Sequence, residues 1–184
     1  MIVDADGWLD EARCVASPNF DMRPAGAVIE LIVLHNISLP PGRYGGGHIA
    51  RLFTNTLDPC FDPFFAQIAA TRVSAHVLIE RDGAATQFVS FAERAWHAGV
   101  SAFCGRSSCN DFSVGIEIEG TDFEAFTDAQ YVTLNRIIDA LLAVYPIAAV
   151  CGHSDIAPER KTDPGPFFDW RRISNRSGVS IPSA

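Results

Sequence analysis

The clearest pattern along the chain is a nearly continuous apolar run, V-I-E-L-I-V-L-H, from Val28 to His35. A run without polar alternation is typical of a central strand that is covered on both faces. We therefore predict a buried strand over 28–35, with His35 at its exit. The next stretch, Asn36 to His48, holds two prolines and four glycines and is predicted to be a loop. Loops beside strand ends often line a site.

Three further segments have strand patterns. Ser74 to Glu80 and Ala84 to Ser90 flank R-D-G at 81–83, where the Asp-Gly pair predicts a hairpin turn. Phe112 to Glu119 alternates strictly between apolar and other residues. One face carries Phe112, Val114, Ile116 and Ile118, and the other carries Ser113, Gly115, Glu117 and Glu119. This alternation predicts a strand with a core face and a face that carries carboxylates.

A helix is predicted after Thr127-Asp128-Ala129-Gln130, which has the form of a capping box. Apolar residues follow at helical spacing, ending before Pro146: Tyr131, Leu134, Ile138, Leu141, Leu142 and Tyr145. Ala148 to Cys151 is a short strand candidate, and Ser154 to Trp170 is predicted to be a loop. The tail from Ser174 to Ala184 is predicted to be frayed.

Length and composition narrow the class of protein. The chain has 184 residues, 48% of them hydrophobic and 20% charged, which predicts one folded domain over 1–184 with its core at about 7–172 and a flexible tail over 173–184. The net charge of −8, without a cluster of Lys and Arg, argues against a nucleic-acid partner.

The start of the chain and the hydropathy pattern bear on location. The segment from Met1 to Glu11 contains three aspartates and does not resemble a secretory signal, and no apolar stretch approaches the length of a membrane span. We therefore expect a cytosolic protein without a membrane partner. A monomer is the expected oligomeric state. Five irregularly spaced cysteines argue against a disulfide framework, with a Cys104–Cys109 pair as the minority alternative.

The polar residues at the predicted strand ends indicate a metal site. His35 and His153 each end a strand, and Asp163 lies in the loop that follows His153. Two imidazoles and one carboxylate suit catalytic zinc, which keeps an open position for water. From spacing alone this signal is weak, because the same side chains also serve as ordinary hydrogen-bonding residues.

Other histidines and a cysteine offer alternatives. His76 is placed inside a strand, where a packed residue is expected. His97 follows Trp96 in A-W-H-A-G, and the two rings could form a wall against which a ligand stacks. Cys151 could pair with His153 as a Cys-x-His ligand set, although a cysteine in an apolar run is usually only buried.

Two charged residues are candidates for the chemistry. Glu117 is the best general acid or base, because neighbouring Gly115 would clear space for a substrate. The alternative is that Glu117 is an ordinary solvent-facing residue of the strand. Glu119 lies on the same face of the strand. Lys161 could stabilise an oxyanion or be a solvated charge.

Five longer stretches resemble one family. They are L-H-N-I-S-L-P-P-G from Leu34, R-V-S-A-H from Arg72, R-A-W-H-A-G-V-S from Arg94, C-N-D-F-S-V-G-I-E-I-E-G-T-D from Cys109, and G-H-S-D-I-A-P-E-R-K-T-D-P-G-P-F-F-D-W from Gly152. The family is that of the zinc-dependent N-acetylmuramoyl-L-alanine amidases, which includes phage amidases and peptidoglycan recognition proteins. The resemblance is strongest to its cytosolic 1,6-anhydro-muramoyl amidases and covers about Gly7 to Trp170.

The resemblance implies an α/β (mixed α+β) fold with a central mixed β-sheet flanked by helices. It places the Zn²⁺ ligands at His35, His153 and Asp163, the acid/base residue at Glu117, and the transition-state stabiliser at Lys161. The implied substrate is an anhydro-muropeptide, cut between the lactyl group and L-alanine during peptidoglycan recycling, with an indirect effect on β-lactamase regulation. Predicted substrate contacts are Asn36, Arg72, Trp96 and Arg106, with the two arginines binding stem-peptide carboxylates.

Two other functions stay open at this point. One is an amidase of the same fold that acts on intact murein. The other is a non-catalytic module that binds muropeptides, although such modules typically lose a metal ligand.

Overall fold

A six-stranded mixed sheet forms the centre of the structure, a computed structural model that describes residues 1–173 and 177–182. The strands are β1 (Arg13–Cys14), β2 (Phe20–Asp21), β3 (Leu31–Ile37), β4 (Val77–Ile79), β5 (Ala85–Gln87), β6 (Arg94–Ala95), β7 (Ala102–Phe103), β8 (Arg106–Ser107), β9 (Ser113–Glu119) and β10 (Ala149–Gly152). The helices are α1 (His48–Phe53), α2 (Pro63–Ile68), α3 (Asp128–Leu142) and α4 (His153–Ile156), with 3-10 turns at Cys109–Asp111 and Trp170–Arg172. The predicted α/β class with a central mixed sheet is confirmed.

The order of strands in the sheet is β1-β5-β4-β9-β3-β10. Strands β4, β9, β3 and β10 run parallel, whereas β5 is antiparallel to β4. In the register of β3 with β9, His35 lies opposite Glu117, and on the other side Leu34 lies opposite Gly152. Parallel strands end at the same edge of a sheet, so β3, β9 and β10 deliver their last residues to one place.

Strand β3 is the predicted central strand, with shifted bounds. It begins at Leu31 instead of Val28, which is 48% exposed, and it continues two residues past His35. The extension forms because Asn36 and Ile37 still pair with β9. Both faces of the strand are buried up to His35, as the unbroken apolar run predicted.

The predicted hairpin is confirmed, with shorter strands than expected. Strands β4 and β5 are antiparallel, and the Glu80 N–H donates to the Ala84 carbonyl across the turn at 2.9 Å. Gly83 has a φ of +86°, a conformation that L side chains rarely adopt, which explains glycine at this position.

Helix α3 begins with the predicted capping box. The Thr127 hydroxyl accepts from the Gln130 N–H at 3.2 Å, and the Gln130 side chain accepts from the Thr127 N–H at 2.9 Å. The apolar face of the helix packs on the core face of β9; the residues of this layer include Val114, Ile116, Ile118, Leu134, Ile138 and Leu141. The helix ends at Leu142, one turn earlier than the apolar spacing suggested.

Part of the tail that we predicted to be frayed pairs with the sheet around Ser180. The Val150 N–H donates to the Ser180 carbonyl at 2.9 Å, and the Ser180 N–H donates to the Ala148 carbonyl at 2.9 Å. These bonds place the tail against the outer edge of β10, where Val179 and Ile181 pack on the core. Residues 174–176 and 183–184 of the predicted tail lie outside the described residues.

Two sequence expectations concern covalent and membrane features. All five cysteines are free thiols, so the alternative Cys104–Cys109 pair is not formed. Within the described part of the chain, no helix combines the length and apolar character that crossing a membrane requires.

One partly buried cation, which the sequence did not single out, connects the sheet to the segment before β9. The Arg23 guanidinium donates to the carbonyls of Phe91, Asn110, Asp111 and Ser113 at 2.9–3.3 Å. Burial lowers the pKa of Arg23 to about 10, which leaves it charged at neutral pH. The arginine therefore satisfies four backbone acceptors with one side chain.

Arg23→Met is expected to lower the free energy of unfolding by about 3–5 kcal/mol, because a buried carbonyl without a donor costs about 1–3 kcal/mol. Urea denaturation gives this difference from the midpoint and slope. Arg171→Met is the matched control, since that side chain is 77% exposed and its guanidinium pairs with nearby Asp169. Equal losses in the two variants would show that the four carbonyls do not depend on Arg23.

Candidate active site

Three side chains converge at the edge where the parallel strands end. His35 comes from β3, His153 directly follows β10 as the first residue of α4, and Asp163 lies in the loop beyond α4. His35 Nδ1 lies 2.9 Å from His153 Nδ1, and Asp163 Oδ2 lies 3.0 Å and 3.1 Å from these two nitrogens. We call these three residues the triad. The structure thus brings together the three residues that the sequence analysis proposed as metal ligands.

The outer nitrogens of the two rings have their own partners. His153 Nε2 lies 3.1 Å from the Ala98 carbonyl, which can only accept, so this nitrogen carries the hydrogen. In its neutral form, His153 therefore leaves Nδ1 bare toward the triad. Burial lowers the pKa of His35 to about 4, so the His35 ring is neutral at pH 7.

The triad fits a divalent cation better than it fits hydrogen bonds alone. The Nδ1 atoms of His35 and His153 and one carboxylate oxygen of Asp163 point at one another. Only His35 can place a hydrogen among these three atoms, because neutral His153 carries its hydrogen on Nε2. Burial alone would raise the pKa of Asp163, but the contacts with His153 and His35 outweigh it and hold the pKa well below its usual value. A cation would accept all three lone pairs. Ligand atoms of a tetrahedral zinc site lie roughly 3.3 Å apart, close to the distances found here.

Glu117 faces this site from the neighbouring strand. Its Oε2 has no hydrogen-bond partner. Among the described residues, it is the one buried side-chain oxygen or nitrogen atom of which this is true. Burial raises the pKa of Glu117 well above 4.5, and the charge of Asp163 raises it further. Such an atom is costly to bury unless a ligand supplies a partner. Glu119, on the same face, instead accepts from the Gly45 and Arg81 N–H groups, at 2.7 Å and 3.1 Å.

A cleft of about 240 Å³ opens over the triad. Its lining consists of His35, Asn36, Ile37, Leu52, Phe53, Val73, Ser74, Trp96, His97, Glu117, His153, Lys161 and Asp163. The positive charge of Lys161 opposes the rise in the pKa of Glu117, as expected for an ammonium group near that carboxylate. The loop over 38–47 is absent from this lining and packs against Glu119 through Gly45, contrary to our expectation for a loop beside a strand end.

Asn36 and Trp96, two predicted substrate contacts, line the cleft but have structural partners as well. The Asn36 amide donates to Asp122 Oδ1 at 2.6 Å and to the Pro164 carbonyl at 3.1 Å, which commits both of its hydrogens. Trp96 donates through its indole N–H to Asp21 at 3.1 Å. Each therefore offers a substrate only what remains: the Asn36 carbonyl oxygen and the Trp96 ring.

The two predicted arginine contacts lie elsewhere in the fold. Arg72 is exposed and donates to the carbonyls of Ala69 and Ala70 at 3.4 Å and 3.2 Å. Arg106 pairs with Glu30, and its guanidinium lies over the Phe112 ring at 3.9 Å. Neither is part of the cleft lining, so a contact with a stem-peptide carboxylate stays a prediction for both.

The contacts that brace the site were not predicted from the sequence. Asp122 accepts from Asn36 through one oxygen and from the Thr162 hydroxyl through the other, at 2.5 Å, so it connects β3 to the loop that carries Lys161 and Asp163.

His97 contacts His35, which differs from the stacking wall that we considered. Our interpretation of Gly115 was wrong: a Cβ there would lie 2.3 Å from His97 Cγ, so the space belongs to His97 and not to a substrate. His76 is fully buried, as the packed interpretation predicted.

Comparison with known proteins agrees with this geometry. The N-acetylmuramoyl-L-alanine amidase family model matches residues 25–166. The 1,6-anhydro-N-acetylmuramyl-L-alanine amidase AmpD of Citrobacter freundii is 59% identical over 175 residues, which is 94% of this chain and 93% of that protein.

Two solved structures show the same relationship. A crystal structure of a selenomethionine AmpD derivative superposes with a TM-score of 0.91 at 59% identity, covering 94% of this chain and 97% of that one. The amidase AmiD from E. coli, solved with anhydro-N-acetylmuramic acid-L-Ala-D-γ-Glu-L-Lys, gives a TM-score of 0.59 at 30% identity and covers 94% of this chain and 64% of that one. The chain therefore belongs to the N-acetylmuramoyl-L-alanine amidase family and has the amidase activity of that family.

Proposed function

We propose that the protein is a zinc-dependent hydrolase that cuts anhydro-muropeptides between the lactyl group of 1,6-anhydro-N-acetylmuramic acid and L-alanine. The observation that carries the proposal is the triad, in which two imidazole Nδ1 atoms and a carboxylate oxygen converge within 3.1 Å. His35, His153 and Asp163 would hold the ion. Bound there, zinc would supply Lewis acidity toward the scissile carbonyl and lower the pKa of a water molecule.

Glu117 is proposed as the general base and then the general acid. Its unpartnered Oε2 is free to take a proton from the attacking water, and the same oxygen can return that proton to the leaving amine of L-alanine. Burial raises its pKa, and a pKa raised from the ordinary value of a carboxyl group toward neutral pH favours proton exchange in both directions.

Lys161 is proposed to stabilise the oxyanion that develops on the carbonyl oxygen. It lines the same cleft as the triad and Glu117, and a fixed positive charge beside a developing negative charge lowers the barrier. Asn36 and Trp96 are proposed as substrate contacts, the first through its remaining carbonyl oxygen and the second through its ring face. Arg72 and Arg106 would require a longer stem peptide to reach past the cleft.

The substrate class is proposed from the relatives. The C. freundii relative is named for 1,6-anhydro-N-acetylmuramyl-L-alanine, and AmiD was solved with an anhydro-muramoyl tripeptide. A monomer is proposed as the active form. We further propose a cytosolic role in peptidoglycan recycling, where removal of these muropeptides would lower the signal for β-lactamase induction.

The test is hydrolysis of purified anhydro-muramoyl tripeptide, followed by mass spectrometry, before and after chelation and after zinc is restored. We expect release of the free tripeptide with the metal present and none after chelation. Purified sacculi serve as the second substrate. Faster release from sacculi than from the soluble fragment would favour an amidase of intact murein. Binding of the tripeptide without cleavage by zinc-loaded protein would identify a binding module.

A further inference from the structure

Two consecutive residues hold the outer nitrogens of both histidines of the triad. His97 Nδ1 lies 2.9 Å from His35 Nε2, and the Ala98 carbonyl lies 3.1 Å from His153 Nε2. The segment itself is fixed by Asn110, whose side-chain oxygen accepts from the His97 N–H at 3.2 Å and from the Ala98 N–H at 2.8 Å. One short segment therefore orients both rings.

The two contacts differ in how they specify the tautomer. A carbonyl can only accept, so Ala98 by itself forces the hydrogen onto His153 Nε2. The imidazole of His97 can either donate or accept at Nδ1, so the tautomer of His35 depends on the tautomer of His97. If His97 carries its hydrogen on Nε2, which lies 3.2 Å from Ser113 Oγ, then Nδ1 is an acceptor and His35 presents a bare Nδ1 to the triad.

The position of His97 is built into strand β9. Gly115 leaves the space that the ring occupies, since a Cβ at that residue would lie 2.3–2.5 Å from three ring atoms. Ser113, two residues earlier on the same face of the strand, receives the other ring nitrogen. Strand β9 thus seats the ring with Ser113 and Gly115, while Glu117 on the same face is directed to the cleft.

We propose that His97 is a positioning residue that accepts the His35 Nε2 hydrogen and so fixes His35 in the tautomer whose Nδ1 binds the metal. This inference rests on the proposed metal site. Outer partners of this kind typically change metal affinity by about 10- to 100-fold when they are removed.

The experiment compares His97→Leu with His97→Asn, two side chains of nearly the same shape, of which only asparagine offers an acceptor. Zinc affinity is measured by competition with a chromophoric chelator. We expect His97→Leu to weaken zinc binding about 10- to 100-fold, and we expect His97→Asn to recover at least half of that loss on a logarithmic scale. Equal weakening in the two folded variants would indicate packing alone and overturn the proposal.

A second measurement does not depend on any variant folding. Long-range ¹H–¹⁵N spectra of the zinc-loaded wild type should show His35 and His97 both protonated at Nε2; protonation of His97 at Nδ1 would overturn the proposal. Tight zinc binding by wild type and His97→Leu alike would overturn this inference alone. A wild type that binds no zinc would overturn the proposed metal site and this inference with it.

Discussion

Glu117→Gln is expected to lower kcat/KM for anhydro-muramoyl tripeptide by about 10²- to 10⁴-fold, the range that proton transfer by a positioned side chain contributes. Glutamine keeps the shape of the side chain but cannot take up a proton. The loss should therefore fall on kcat, with KM and zinc content close to wild type. Steady-state kinetics with measured metal content checks this.

Glu119→Gln is the matched control, because Glu119 lies two residues further along the same strand and faces the same side. Its oxygens accept from the Gly45 and Arg81 N–H groups, outside the cleft, so its replacement should leave kcat/KM close to the wild-type value. If Glu119→Gln abolished turnover while Glu117→Gln did not, the acid/base assignment would be wrong.

The same Glu117→Gln variant should be at least as stable as wild type when both are metal-free. Burial raises the folded-state pKa of Glu117 above 4.5, so the native state holds its proton more tightly than the unfolded chain. The contribution of this residue to stability is therefore greatest below pH 4.5 and is lost as the pH rises through the folded pKa. Urea midpoints at several pH values, with a chelator present, should show wild type losing stability relative to the variant as pH rises.

Asp163→Asn is expected to lower kcat/KM by at least about 10³-fold, since a bound metal contributes several kcal/mol of charge stabilisation in the transition state. The amide has no charge to offset that of the ion, and the set of three ligands is broken. At a hundredfold excess over Kd, zinc should add about 2.7 kcal/mol to the free energy of unfolding of wild type. Its melting temperature should therefore rise with zinc, and that of the variant should not change.

Asp82→Asn controls for the loss of one carboxylate. Asp82 is exposed in the β4–β5 turn, where its side chain accepts from the Ala84 N–H at 2.9 Å, a bond that asparagine can also make. This variant should keep both the zinc-dependent shift and the activity. An Asp163→Asn protein that retained stoichiometric zinc and full turnover would remove the triad from the mechanism.

Local patterns predicted those elements whose side chains repeat with a clear period. The alternation at Val114, Ile116 and Ile118 and the capping box at Thr127 were sufficient, because each depends on neighbours within a few residues. Helices α1 and α2 were missed because six residues are too few to establish a helical period. The end of β3 was misplaced because it is set by pairing with β9, which is a long-range contact.

Within the site, too, the positions set by local sequence were predicted, and the contacts between distant segments were not. The positions of His35 and His153 followed from the ends of two strands that run parallel and adjacent. Nothing in A-W-H-A-G shows that His97 contacts His35, because that contact requires the space over Gly115, on another strand. The role of Asp122 likewise depends on the loop that carries Thr162 folding back over β3.

The pairing of Ser180 with β10 has a consequence for how copies of this protein behave in concentrated solution. An open edge strand presents unpaired N–H and C=O groups to other chains and promotes aggregation. Here the backbone groups of Ala148 and Val150 at that edge are already occupied by Ser180. The tail thus shields the strand that leads into His153 from intermolecular β-pairing.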